Sequence, residues 1–204
     1  MPFDAIPWDK LLEAAGFLIG LLYLWWEYNA DARLWIASLV MPFISMWIYF
    51  HKGLYADFAI NIYYLAIAIY GYAAWTRGHG GKKSEKRARR VAHAPLPVAL
   101  GCAVAAGLLW CLLWLILRYL TDSTVPVADA FTTALSIVGM WMLARKYIEQ
   151  WLVWIAVDAV CVWLYAYKGI PLYAILYAIY TIIAALGYRR WRKMLTAGKA
   201  KTEG

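Results

Sequence analysis

The chain alternates long apolar runs with short polar breaks. Seven stretches reach or approach the ~17–25 mostly apolar residues that a spanning helix needs: Leu11–Tyr28, Leu34–Phe50, Tyr55–Trp75, Leu96–Leu117, Ala128–Ala144, Trp151–Tyr167 and Pro171–Tyr188. The runs are continuously apolar, whereas the strands of a membrane barrel alternate, so helices are expected. The breaks are short except for Thr76–Pro95, which is basic and contains glycines. Residues Met1 to Asp9 carry no positive charge, and no small-residue cleavage site follows the first run. That run therefore reads as a span and not as a signal peptide.

The second half of the chain restates the first at a constant offset of 116 residues, without gaps. Trp35 pairs with Trp151, Trp47 with Trp163, Tyr49 with Tyr165, Lys52-Gly53 with Lys168-Gly169, Gly71-Tyr72 with Gly187-Tyr188, and Trp75 with Trp191. Trp25 and Trp141 keep the same offset. Segments one to three and five to seven are thus repeats, and the fourth is a single linking helix. An odd linker returns the chain across the bilayer, so both triplets run the same way, related by a pseudo-twofold axis along the membrane normal. Carriers built on such repeats place substrate near the midplane, between the repeats. The expected fold is all-α and integral to the membrane, with seven transmembrane helices in a 3+1+3 order. Its divisions are residues 1–75 (first repeat), 76–95 (basic cytoplasmic loop), 96–118 (linker helix), 119–191 (second repeat) and 192–204 (basic cytoplasmic tail).

Composition agrees. Hydrophobic residues make up 65% of the 204 residues, charged residues only 16%, and the mean hydropathy is +0.58. One small water-soluble core could not hide so much apolar surface. Disorder and a disulfide scaffold are excluded on the same figures. Cys102, Cys111 and Cys161 all fall within apolar runs, as small hydrophobes. The formal net charge is +8, and its placement carries the information. Sixteen of the twenty basic residues fall in the long loop, in the tail, after the fifth span or before the second, leaving Lys10, Lys52, Arg118 and Lys168 on the other side. Positive charge stays inside, which puts the amino terminus outside and the carboxyl terminus in the cytoplasm. Gly78–Ser84 resembles a phosphate-binding loop but fails its spacing and follows no strand. The basic loop is a topology determinant touching anionic lipid, and no nucleic-acid partner is expected.

Of twelve acidic residues, only Asp158 lies well inside a span. It sits about 10 Å from the cytoplasmic end of its helix at 1.5 Å per residue. A carboxylate there costs at least ~2.5–3.5 kcal/mol, so it should face a cavity or a partner. Trp151, Trp154 and Asp158 share one helical face, which Cys161 and Tyr165 extend. Indoles offer stacking and cation–π attraction to a flat positive ring, and the carboxylate offers a counter-charge. The competing reading makes the tryptophans interfacial anchors and Asp158 a neutral helix tie. Pro42 stands opposite Asp158 in the other repeat, and a break there would serve as a hinge or a static kink. Asn61 and Tyr64 share a face of the third span, where the amide reads a ligand or ties helices. Thr132, Ser136 and Met140 form a small polar stripe on the fifth, more simply read as packing. Glu27 and Glu149, near span ends, need only solvated roles. His51, His79 and His93 lie in loops without metal-ligand spacing, and no catalytic constellation appears. Neither an enzyme nor a cofactor or metal is expected.

Gly53-Leu54-Tyr55, the Gly71-Tyr72 plus Trp75 ending, Asp129–Ala134, and Trp151-Leu152-Val153-Trp154 followed by Asp158 resemble the PnuC family of bacterial vitamin transporters. The resemblance covers nearly the whole chain. It implies a SWEET-like fold and facilitated diffusion of nicotinamide riboside or, in relatives, thiamine. It also implies a bacterial inner membrane, trapping by a cytoplasmic kinase and a homotrimer; read from the residues themselves, the candidate substrate site is Trp151, Trp154, Asp158, Asn61, Tyr64, Trp47, Thr132 and Ser136. The family pattern has an asparagine where Asp158 stands and glutamines where Met140 and Asn61 stand. Asp158 favours a cation, and both a pyridinium and a thiazolium qualify. Nicotinamide riboside leads as the family's commonest substrate, with thiamine as the alternative. Outside the family stand two further readings, a non-transporting membrane scaffold and an ion channel.

Overall fold

The computed structural model describes residues 19–51, 55–76, 90–121 and 123–200. The residues that bear on a signal peptide, His79 and the start of the first span lie outside them. The described residues form seven helical segments and no strand. These are α1 (residues 19–28), α2 (Leu34–His51), α3 (Tyr55–Thr76), α4 (Leu96–Leu120), α5 (Pro126–Ala144), α6 (Gln150–Tyr167) and α7 (Pro171–Ala200). Four of them, α4 to α7, contain stretches long and apolar enough to cross a membrane.

The helices differ from expectation mainly at their ends. α5 begins at Pro126, because proline fits the first helical turn, where its missing N–H is not needed. α7 does not stop at Tyr188 but runs to Ala200, since Arg189, Arg190, Arg192 and Lys193 are good helix formers with no breaker among them. His51 closes α2 instead of lying in a loop, and α2 continues without interruption through Pro42. Cys161 is buried, whereas Cys102 is half-buried and Cys111 exposed on α4.

The chain divides into two compact units, Met1–Thr76 and Arg77–Gly204. In the first, α1 ends in a left-handed residue, Ala30 at φ 54°, and α2 packs on α3. The Ala30 N–H donates to the Glu27 carbonyl at 3.0 Å, and the Asp31 N–H to Trp26 at 2.9 Å. Arg33, in the same turn, forks onto Asp31 at 2.6 Å, and those hydrogen bonds raise the guanidinium's pKa.

The second unit repeats this turn. Lys146 also has φ 54°; its N–H donates to Leu143 at 2.8 Å, and that of Tyr147 to Met142 at 3.0 Å. Both turns are the paired-bond cap that ends many helices, here with alanine and lysine in place of glycine. Beside the second turn the chain approaching α4 is strapped down. The Ala92 N–H donates to Lys146, the Ile148 N–H to Ala92, and the Ala94 N–H to the Glu149 carboxylate at 2.9 Å. Glu149 also pairs with His93 Nδ1 at 2.7 Å, so it anchors the strap and is not merely solvated. α4 lies against α5, tied by the Trp110 indole donating to the Val127 carbonyl at 3.1 Å, and none of its residues is buried. α6 lies between α5 and α7 and is the inner helix of this unit.

Candidate functional site

The strongest packing feature is written twice. Trp151 meets Trp191 edge-on at 5.7 Å and 89°, and Trp35 meets Trp75 at 5.6 Å and 88°. All four indoles are buried. Each first tryptophan lies flat against a glycine of the next helix. A Cβ on Gly187 would stand 2.6 Å from the Trp151 ring, and one on Gly71 would collide with Trp35 more closely still. Glycine inside a helix costs about 1 kcal/mol relative to alanine, and here it makes room for the indole.

α6 thus splits its aromatic stripe between two neighbours. Trp151 turns toward α7, while Trp154 packs toward α5, 3.7 Å from where a Cβ on Gly139 would stand. The Trp151 and Trp154 indole nitrogens are both buried without a hydrogen-bond partner among the described residues. Asp158 is buried, 7% exposed, and makes no hydrogen bond or ion pair with a described residue. Cys161, Tyr177 and Tyr180 lie within its electrostatic reach. Tyr177 stacks on Tyr165 at 5.2 Å and 8° and meets Tyr180 edge-on at 5.8 Å. One buried carboxylate thus has two tyrosines of α7 within its electrostatic reach, and aromatic rings beside an acid suit a flat organic cation.

Other candidates fall elsewhere. The Thr132 hydroxyl donates to its own helix, to the carbonyls of Ala128 and Asp129 at 3.1 Å, and Ser136 is half-buried on the same helix. Asn61 and Tyr64 are half-buried in the first unit. There Tyr23 hydrogen-bonds Glu27 within electrostatic reach of Tyr64. Glu27 is buried, which corrects the solvated role expected of it, because α1 turns it toward that tyrosine cluster. Pro42 is buried in α2, and the Trp47 side chain lies outside the described residues. An apolar cavity of about 580 Å³, lined by Trp110, Val127, Phe131, Val160 and Trp163, opens on the face of α6 away from Asp158. Hydrocarbon suits it better than a polar ligand.

Two buried polar residues escape a reading by depth alone, Glu27 and Gln150. The offset exposes them: their partners in the other repeat are Leu143 and Leu34, so a polar side chain stands where its duplicate is aliphatic.

The family model for the nicotinamide mononucleotide transporter matches residues 10–193. The nicotinamide riboside transporter PnuC of Escherichia coli (strain K12) is 28% identical over 216 residues, covering 94% of this chain and 89% of its own length. The riboflavin/roseoflavin transporter RibM of Streptomyces davaonensis is 32% identical over 127 residues, covering 62% of this chain and 59% of that one. A crystal structure of the vitamin B3 transporter PnuC shares the fold, with a TM-score of 0.67 at 21% identity over 94% of this chain and 84% of that one.

Proposed function

Because the chain belongs to the nicotinamide mononucleotide transporter family, a family of multi-pass membrane transporters and not of enzymes, we propose that it imports a flat cationic vitamin, nicotinamide riboside, through a site on α6 centred on Asp158. One observation carries the reading: Asp158 is buried in a spanning helix without an ion partner among the described residues. A carboxylate so placed is costly unless a cation meets it. The pyridinium of nicotinamide riboside supplies that charge, and the π-faces of Trp154, Tyr177 and Tyr180 supply its stacking surface. Asn61 and Tyr64 offer polar groups in the first unit, Thr132 and Ser136 in the second, and Pro42 is the hinge candidate. Transport is facilitated diffusion, with a cytoplasmic kinase trapping the product. The chain runs from an outer amino terminus through three helices, the linker α4 and three more, the 3+1+3 order of a SWEET-like carrier, to a cytoplasmic carboxyl terminus. The assembled form is a homotrimer.

Thiamine is the second reading, favoured by an acid at position 158 where the family pattern has an amide. Thermal unfolding of purified protein against nicotinamide riboside, thiamine and riboflavin separates the readings. A ligand at 100 times its Kd stabilises by ~2.7 kcal/mol, which moves the midpoint measurably. Nicotinamide riboside should stabilise, neutral riboflavin should not, and Asp158→Asn should fold normally yet lose at least tenfold in cation affinity and uptake. Undiminished uptake by Asp158→Asn would overturn the cation site. Saturable uptake without current excludes the channel, and silence across the whole panel favours the scaffold.

A further inference from the structure

Gln150 opens α6 and is wholly buried, at 0% exposure. Neither its amide nitrogen nor its amide oxygen has a hydrogen-bond partner among the described residues. Native proteins seldom leave both ends of a buried amide unsatisfied, so such a group calls for an explanation. Packing does not supply one. Leu34 holds the same position in the other repeat and is also at 0%, so an aliphatic of similar size fills this site. The amide is retained for something an aliphatic side chain cannot do.

Its position says what that is. At 3.6 residues per turn, Gln150, Trp154 and Asp158 follow one another at a turn's spacing and fall within an arc of about 80° on α6. Along about 12 Å of helix the order is therefore amide, indole, carboxylate. The Trp154 indole nitrogen, between the other two, is also buried and unpartnered among the described residues. An amide presents a donor and an acceptor side by side. A primary carboxamide presents the complementary pair, and the two together close two hydrogen bonds. A carboxylate has no donor to offer and sets a negative oxygen against the glutamine carbonyl. Nothing on α6 other than Gln150 combines burial, both hydrogen-bonding roles and this register.

We propose that Gln150 is the specificity residue that reads the carboxamide of the transported pyridinium and rejects the corresponding carboxylate. The inference rests on the proposed function, since it deepens the same site by naming the group at the far end of the ring. Asp158 answers the charge and Gln150 answers the substituent.

The test uses full-length protein in detergent and in proteoliposomes, with nicotinamide riboside and nicotinic acid riboside as probes. Wild type should bind the carboxamide at least tenfold more tightly than the carboxylate. Gln150→Leu, which installs the residue of the other repeat, should unfold at an undiminished temperature without ligand. It should nonetheless lose ~10- to 100-fold in carboxamide affinity, with the preference between the probes collapsing. Gln150→Met should do the same. Asp158→Asn, in contrast, should weaken the carboxamide while sparing the preference. If Gln150→Leu and Gln150→Met keep both affinity and preference, the inference is wrong although the transport reading stands. If both variants fail to fold, Gln150 is a structural amide and the inference is again wrong. If wild type binds neither riboside, the transport reading falls and takes the inference with it.

Discussion

The two repeats can be superposed along the sequence, and what they share differs in kind from what they do not. Shifted by 116 residues, the start and end of α2 fall on those of α6, and the starts of α3 and α7 coincide. The φ 54° turns at Ala30 and Lys146 coincide too, as do the two tryptophan pairs and their glycines. The buried polar residues behave in the opposite way. Glu27 faces Leu143 across the offset, Gln150 faces Leu34, Asp158 faces Pro42, and Lys146 faces Ala30. Packing is duplicated and buried polarity is single. In one molecule, then, the repeat separates residues that make a helix pair from buried polar residues present in one copy alone.

The largest effect that tests this division is loss of the wedge. Trp151→Ala leaves a cavity against Gly187 and Trp191 and should cost about 3–5 kcal/mol. Trp35→Ala should cost a similar amount, because the geometry around it is the same to within 0.1 Å and 1°. Chemical or thermal unfolding in one detergent reads both. A large loss at Trp151 with little at Trp35 would mean that duplication in the sequence is not duplication of load, and the division would fail.

Next comes the glycine under each indole. In an open helix, glycine to alanine gains about 1 kcal/mol. At Gly187 the new Cβ would stand 2.6–2.7 Å from an indole already held edge-on by Trp191, so the sign reverses. Gly187→Ala and Gly71→Ala should each lose about 1–3 kcal/mol, as overpacked cores do. Gly107→Ala on α4 is the control: nothing among the described residues lies within 4 Å of its Cβ position, and it should be neutral or stabilising. Equal behaviour at Gly107 and Gly187 would show that backbone freedom, not indole packing, keeps these glycines.

Much of this was legible beforehand, for physical reasons that also mark where legibility stopped. A spanning helix must be apolar along its whole length, so its presence is written locally, and of the six helices described from end to end five lie within a few residues of their expected ends, α7 running on to Ala200. The recurrence of Trp35 and Gly71 as Trp151 and Gly187 was equally visible. Their reason was not, because periodicity gives a face without saying which neighbour meets it. α6 has neighbours on two sides, so Trp151 and Trp154, adjacent on a helical projection, pack against different helices. Asp158 stood out because an acid in an apolar run is anomalous by itself. Gln150 did not, because it sits at a helix start, where a polar residue is ordinary; its anomaly is burial, which a helix start does not announce.

The smallest expected effect tests whether duplication alone marks a residue as structural. Lys168 approaches Asp129 at 3.5 Å, and both side chains are 30% exposed. In the other repeat the matching positions are Lys52 and Glu13, so the charges are duplicated although the residues are not identical. A long, half-solvated pair of this kind is worth at most about 1 kcal/mol. Asp129 has a second partner as well, since the Ser123 hydroxyl donates to it at 2.8 Å. Lys168→Met should therefore shift the unfolding midpoint less than any wedge or glycine variant. The shift should vanish in 1 M salt, where the Debye length falls to about 3 Å. A loss as large as that of Gly187→Ala, persisting in salt, would place this pair with the tryptophans. Duplication would then mark residues by the load they carry whether they are apolar or charged, and Asp158, whose counterpart is Pro42, would stay outside that class.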